Sequence, residues 1–265
     1  PQFCPAMQTV RIGNRTIAYR RYGRQVDATR PPVLLLHGAG GNHMVWPTHM
    51  RRLAATTVIA IDLPGHGESS PPACATIATF SELLRDFTDE LALEQFDLVG
   101  HSMGGAIALD YALAYPHRLA GLMLIGTGAL MSVSARLMET VRDDFAAATE
   151  MIVRYSYRSG ASAEELSLYL AHLRQSNPEV LYEDLLACAT FDVTESVGRL
   201  DMPTQILCGQ EDRMTPVALS EALHAAIGAS ELTIVPAAGH NVMVEYPDLI
   251  AGYLTNFIDR LSPAE

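Results

Sequence analysis

Two rhythms of apolar and polar positions run along the chain. Residues 9–12 and 16–22 alternate with period two and bracket Gly13-Asn14, a pattern that predicts an opening hairpin. Residues 33–36, 57–61, 96–99, 122–125, 205–208 and 232–235 are short, predominantly apolar runs. Such runs suit parallel strands covered on both faces. Helical spacing fills the gaps. Residues 79–93 place Phe80, Leu83, Leu84, Phe87 and Leu91 close to a 3.6 period, and 103–115, 217–227 and 247–261 behave alike. Strand–helix alternation of this kind predicts an α/β fold with a doubly wound sheet.

One stretch breaks the alternation. Residues 129–194 offer no convincing strand and are too many for a loop. Their pattern is helical, with Met131, Met138, Phe145, Met151, Tyr155, Tyr157, Tyr169 and Leu173 spread through it. The expectation is a helical insertion over the ends of the sheet strands. The competing reading is one or two ordinary crossover helices.

Composition narrows the function. The 265 residues are 49 % apolar and 18 % charged, with a net charge of −12, which suits a folded domain and not a disordered chain. An acidic chain lacks the basic face a nucleic-acid binder needs, and offers anionic membranes nothing to attract. All 18 basic residues are arginine, so Schiff-base chemistry and a P-loop lysine are excluded. Cys4, Cys74, Cys188 and Cys208 are widely spaced, which predicts free thiols in a reducing cytosol. The first thirty residues carry Arg11, Arg15, Arg20, Arg21 and Arg24, so no secretory apolar stretch lies there. The nearest approach to a membrane span, 119–133, is broken by glycines and polar residues. A cytoplasmic location is expected.

The strongest chemical signal is Gly100-His101-Ser102-Met103-Gly104-Gly105, between a predicted strand and a predicted helix. That is the setting of a nucleophile elbow, in which a sharp turn projects a serine and crowding demands glycine two residues to either side. A serine hydroxyl needs a base. His240, in Gly239-His240-Asn241, follows the last predicted strand and falls at the same sheet edge. The base in turn needs a carboxylate to fix its tautomer. Asp212 follows the strand before, with Glu211 as its rival. The order Ser102, Asp212, His240 fits the nucleophile-elbow fold. His37-Gly38-Ala39-Gly40-Gly41 follows the first parallel strand, and the backbone N–H groups of Ala39 and Met103 are the expected oxyanion donors. Losing one such donor typically costs about 3 to 4 kcal/mol of transition-state stabilisation.

These segments resemble the α/β-hydrolase superfamily, nearly end to end. The resemblance rests on His37-Gly38, Asp62-Leu63-Pro64-Gly65-His66-Gly67-Glu68-Ser69, the Ser102 elbow, Gly209 with Asp212 and Pro216, and Gly239-His240 with Glu245 and Pro247. It implies the α/β-hydrolase fold: a mostly parallel central sheet of about eight strands flanked by helices, a core of residues 1–128 and 195–265, and a helical cap of 129–194. Departures narrow the branch. Haloalkane dehalogenases and epoxide hydrolases use an aspartate nucleophile where this chain has Ser102. Carbon–carbon hydrolases usually follow the catalytic histidine with tryptophan, and here Asn241 stands there. Perhydrolases usually show tryptophan and proline after the His-Gly pair, where this chain has Ala39 and Gly40.

The resemblance therefore implies a carboxylic ester hydrolase of small to medium, mainly uncharged substrates, with no metal and no organic cofactor. Its expected partner is a small-molecule ester. Neither nucleic acid nor membrane is expected, and the chain is expected to be a monomer or homodimer. The alternatives are a lactone or C–C bond hydrolase with the same triad, and a slow-turnover small-molecule receptor of the same fold. Met131, Met138, Phe145 and Tyr155, with Trp46 after the oxyanion loop, are candidate pocket residues, each with plain core packing as its alternative. His37 is expected to brace the oxyanion loop, and His66 and His101 to point away from the chemistry.

Overall fold

The computed structural model describes residues 5–23, 30–53 and 56–261. In chain order the elements are β1 (Gln8–Ile12), β2 (Arg15–Tyr22), β3 (Val33–Leu36), α1 (Thr48–Arg51), β4 (Val58–Ile61), α2 (Ile77–Glu90), β5 (Phe96–His101), α3 (Met103–Ala114) and β6 (Leu119–Ile125). Four helices follow, α4 (Ala135–Asp143), α5 (Phe145–Ser156), α6 (Ala163–Leu173) and α7 (Pro178–Ala189). The chain then completes its sheet with β7 (Thr204–Gly209), α8 (Val217–Ala226), β8 (Ser230–Val235), α9 (Val242–Glu245) and α10 (Pro247–Leu261).

The eight strands form one sheet in the order β1-β2-β4-β3-β5-β6-β7-β8. The β1–β2 hairpin is antiparallel, closing at Ile12 opposite Arg15, and β2 runs antiparallel to β4. Every later pairing is parallel. The strand interiors explain the apolar runs. Leu34, Leu36, Ile59, Ile61, Leu122 and Leu124 face one core with α2, α3 and α8. Their neighbours Val33, Leu35, Val58, Ala60, Met123 and Ile125 face a second core with α1 and α10. Both faces are covered, so alternation is between two apolar layers and not between core and water.

Between β6 and β7 the four helices build a separate apolar cluster from Leu137, Val141, Ile152, Leu173, Leu181 and Leu185. Each begins on a side-chain cap. Ser134 accepts from the Leu137 N–H, Asp144 from Ala147, Ser162 from Glu165 in a reciprocal capping box, and Asn177 from Glu179 ahead of Pro178. The ends of the segment are stitched together by a Leu130–Asp192 bridge and by the Val193 N–H on Ala129 O at 2.8 Å.

Boundaries differ from the sequence expectation where backbone chemistry overrides periodicity. Helix α2 starts earlier because Thr76 caps it, and it stops at Glu90 as the chain turns through Ala92 at φ +50°. Strand β5 runs on to His101, directly into the turn that carries Ser102. Cys74, Cys188 and Cys208 are free and buried, whereas Cys4 lies outside the described residues. No helix among the described residues is long and apolar enough to cross a membrane.

Candidate active site

Parallel strands deliver the candidate residues to one edge of the sheet. Ser102 links β5 to α3 with φ +54° and ψ −118°, a region that only a forced turn holds a non-glycine residue in. The flanking glycines are dictated by space. A Cβ on Gly100 would lie 2.2 Å from Gly104 O, and a Cβ on Gly104 would lie 2.2 Å from Leu36 O. The turn is held by the Ser102 N–H on Ile125 O at 2.9 Å and by Thr127 Oγ1 donating to Ser102 O at 3.0 Å.

His240 follows β8 and Asp212 follows β7. His240 Nδ1 stands 2.8 Å from Asp212 Oδ2. A carboxylate only accepts, so the ring proton sits on Nδ1 and Nε2 is left with its lone pair. Asp212 Oδ1 takes the N–H groups of Met214 at 2.9 Å and Thr215 at 2.8 Å, and Oδ2 takes the Thr215 hydroxyl at 2.8 Å. Burial alone would raise this carboxyl, but His240 and the Thr215 hydrogen bonds outweigh it and hold it below the usual range. Glu211, the rival acid, points elsewhere and accepts from the Ser159 N–H at 2.7 Å.

Ser102 and His240 line one cavity of about 460 Å³, together with Gly38 and Ala39. Ala39 lies in the loop after β3, and Met103 supplies the first N–H of α3, which the helix itself cannot satisfy. Met103 itself is buried in the core and is not among the residues that line the cavity.

The loop carrying Ala39 is braced from three directions. His37 Nε2 accepts from the Leu63 N–H at 3.0 Å, which places its proton on Nδ1, donating to Gly38 O at 2.8 Å. Burial, reinforced by nearby His66, lowers His37 to about 3, so it stays neutral. Gly40 donates its N–H to Asp184 Oδ2 on α7 at 2.9 Å. Asp62 gathers the N–H groups of His43 and Glu68, and its carboxylate leaves no room for a side chain at Gly67.

The structure corrects several expectations about the surroundings. Of the five candidate pocket residues, Met131 lines the cavity. Trp46 packs in the core between the sheet and α10, fully buried. Met138 and Phe145 are half-buried and pack against the four-helix cluster. Tyr155 is 44 % exposed beneath the Arg213 guanidinium. His101 does not point away. It lines the cavity with its ring centroid 4.7 Å from that of His240, and its Nε2–H donates to His240 O at 3.1 Å. Burial, with His240 adding, lowers it to about 3, so it braces as a neutral ring.

Other residues escaped the sequence reading. Thr215 holds both Asp212 and His240, its Oγ1 lying 3.1 Å from His240 Nδ1; the Asp-x-x-Thr-Pro spacing was the available signal. Glu245 accepts from the Gly239 N–H at 2.9 Å and pairs with Arg158 at 2.9 Å, so it steadies the His240 loop. Ser156, Tyr157, Tyr169, His172 and Asn241 form a polar stretch of the cavity wall, for which no short motif exists. Met44, Leu168 and Val244 line the cavity while staying exposed, at 51, 68 and 39 %. No group of three or more His, Cys, Asp or Glu among the described residues could hold a metal ion.

Comparisons with known proteins agree with this architecture. A pimeloyl-[acyl-carrier protein] methyl ester esterase of Neisseria meningitidis is 26 % identical over 242 residues, covering 86 % of this chain and 92 % of that protein. The dihydrolipoyllysine-residue acetyltransferase component of an acetoin cleaving system from Pseudomonas putida is 28 % identical over 269 residues, covering 97 % and 70 %. A thermophilic esterase from Thermogutta terrifontis, solved with malate bound, superposes with a TM-score of 0.85 at 26 % identity, covering 97 % of this chain and 99 % of that one. The family model described as alpha/beta hydrolase fold matches residues 31–247, and the chain belongs to that family.

Proposed function

We propose that the protein hydrolyses carboxylic esters of small to medium, mainly uncharged substrates through an acyl-enzyme on Ser102. The observation that carries this reading is the 2.8 Å contact between His240 Nδ1 and Asp212 Oδ2, at the wall of the cavity that Ser102 also lines.

His240 Nε2 takes the Ser102 proton as Oγ attacks the ester carbonyl. The N–H groups of Ala39 and Met103 hold the resulting oxyanion. The tetrahedral species collapses, the C–O bond to the alcohol breaks, and the alcohol leaves with the proton from His240. Water then gives a proton to the same nitrogen and attacks the acyl carbon. Acid departs and Ser102 recovers its proton. Asp212 stays ionised and stabilises the imidazolium. The segment 129–194 acts as a cap that supplies Met131, Ile152, Leu181 and Leu185 to an apolar pocket, which favours uncharged substrates.

The test is hydrolysis of p-nitrophenyl butyrate by the protein and by Ser102→Ala, with mass spectrometry of the quenched reaction. The reading expects an acyl adduct on Ser102 and loss of turnover in the variant with the fold retained. Near-normal hydrolysis by Ser102→Ala, or a preference for lactones or vinylogous diketones over open-chain esters, overturns it.

A further inference from the structure

The polar stretch of the cavity wall has more hydrogen-bonding capacity than the protein uses. Asn241, directly after His240, is 2 % exposed, and Ser156, the last residue of α5, is fully buried. The two are tied through the Asn241 N–H on Ser156 O at 3.1 Å. Their side chains stand beside the Tyr169 phenol, and Asn241 also beside Tyr157. The two phenol rings sit 5.7 Å apart. Yet Asn241 Nδ2 and Ser156 Oγ close no hydrogen bond of normal geometry. The Tyr157 and Tyr169 phenols are their protein neighbours and meet them with poor alignment, so the four side chains together keep hydrogen-bonding capacity in one patch of a mostly apolar cavity that a bound molecule can use.

We propose that Ser156, Tyr157, Tyr169 and Asn241 form a subsite for a second, uncharged oxygen function of the substrate, such as a keto, hydroxyl or amide oxygen, separate from the ester that reacts. This inference rests on the hydrolase reading above and names its substrate class.

The patch supplies donors for a neutral acceptor. Asn241 Nδ2 donates only, and the Ser156 hydroxyl can turn to donate. Burial, with Tyr169 and Glu245 adding, raises the Tyr157 phenol, which therefore remains a donor. A carboxylate finds no counter-charge here. The Arg158 guanidinium is held by Glu165 and Glu245, Glu165 itself lines the cavity, and burial lowers His172 so that it stays neutral. An ammonium would meet the Asn241 donor, and the Glu165 carboxylate in the wall is already taken by Arg158 and the Ser162 N–H.

The experiment compares kcat/KM for p-nitrophenyl alkanoates and for alkyl butyrates against analogues carrying a ketone at successive chain positions. At least one oxo ester should exceed its methylene counterpart by about tenfold or more, as expected where a site is built to bond an oxygen. That preference should shrink to below about threefold in Tyr169→Phe and in Asn241→Leu. Binding of the same ester pairs to Ser102→Ala, measured by calorimetry, should show the same ranking and the same loss in the double variants. Simple esters turned over through Ser102 with no oxo preference at any position overturn the subsite and leave the hydrolase reading standing. Equal calorimetric affinities overturn it even if no ester is turned over, and so does a preference that survives both substitutions.

Discussion

Asp184 Oδ2 lies 2.7 Å from His66 Nε2, a contact between α7 and the loop after β4 in which both side chains are almost wholly buried. His66 Nδ1 meets Pro64 O at 3.0 Å. Both ring nitrogens face oxygens that only accept, so the ring is an imidazolium. Burial alone would lower His66, but the Asp184 carboxylate and its hydrogen bond outweigh it and raise it. A raised folded-state value means that the pair stabilises the fold fully in acid, and that this stability is lost as pH rises through the folded value. Asp184→Asn is expected to cost about 3 kcal/mol near pH 6, where a buried cation is left unpaired, and progressively less as pH is raised. Denaturant melts across a rising pH series check this; a loss that never shrinks would contradict the imidazolium assignment.

Asp97 on β5 is buried with no counter-ion among the described residues, and burial raises its carboxyl to about 7. The folded protein then holds a proton that the unfolded chain releases near pH 4. Stability falls as pH climbs from about 4 to 7 and levels off above. Asp97→Asn should remove that slope and be more stable than the parent at pH 8, by on the order of 4 kcal/mol at most. Chemical denaturation across that range decides it, and an unchanged slope in the variant refutes the assignment.

Thr215 touches both members of the base–acid pair. Thr215→Val keeps the shape and deletes the hydroxyl. We expect kcat to fall about tenfold with KM little changed, the size of one lost hydrogen bond to a charged group. Unaltered kcat would show that the backbone N–H bonds alone hold Asp212.

Two glycines offer a contrast. Gly100→Ala would put its methyl carbon 2.2 Å from Gly104 O and should prevent normal folding, at a cost above about 3 kcal/mol. Gly252, inside α10, has open space around a new Cβ, so Gly252→Ala should stabilise by about 0.5 to 1 kcal/mol. Thermal melts of the two variants separate a steric requirement from incidental glycine.

The sheet could be read from the chain because each parallel strand buries both faces, as Val33 and Leu34 show by belonging to opposite cores. The gathering of Ser102, Asp212 and His240 at one sheet edge could be read because they hang on short loops with demanding backbone geometry, as at Ser102 and Gly104. The pocket could not. Phe145 and Met138 share helical spacing and apolar character with Met131, yet only Met131 lines the cavity, because orientation within a helical cluster depends on partners remote in sequence. Asn241 and Tyr169 meet across separate elements for the same reason. His101 was misjudged because strand β5 extends far enough to set its ring against His240.

Met44, Leu168 and Val244 have a consequence for traffic into the molecule. Being both solvent-facing and part of the cavity wall, they mark its doorway. Asp184 clamps one flank of the roof and Glu245, through Arg158, clamps another. A molecule entering past these three side chains would trade water for an oily rim before it reaches Ser102.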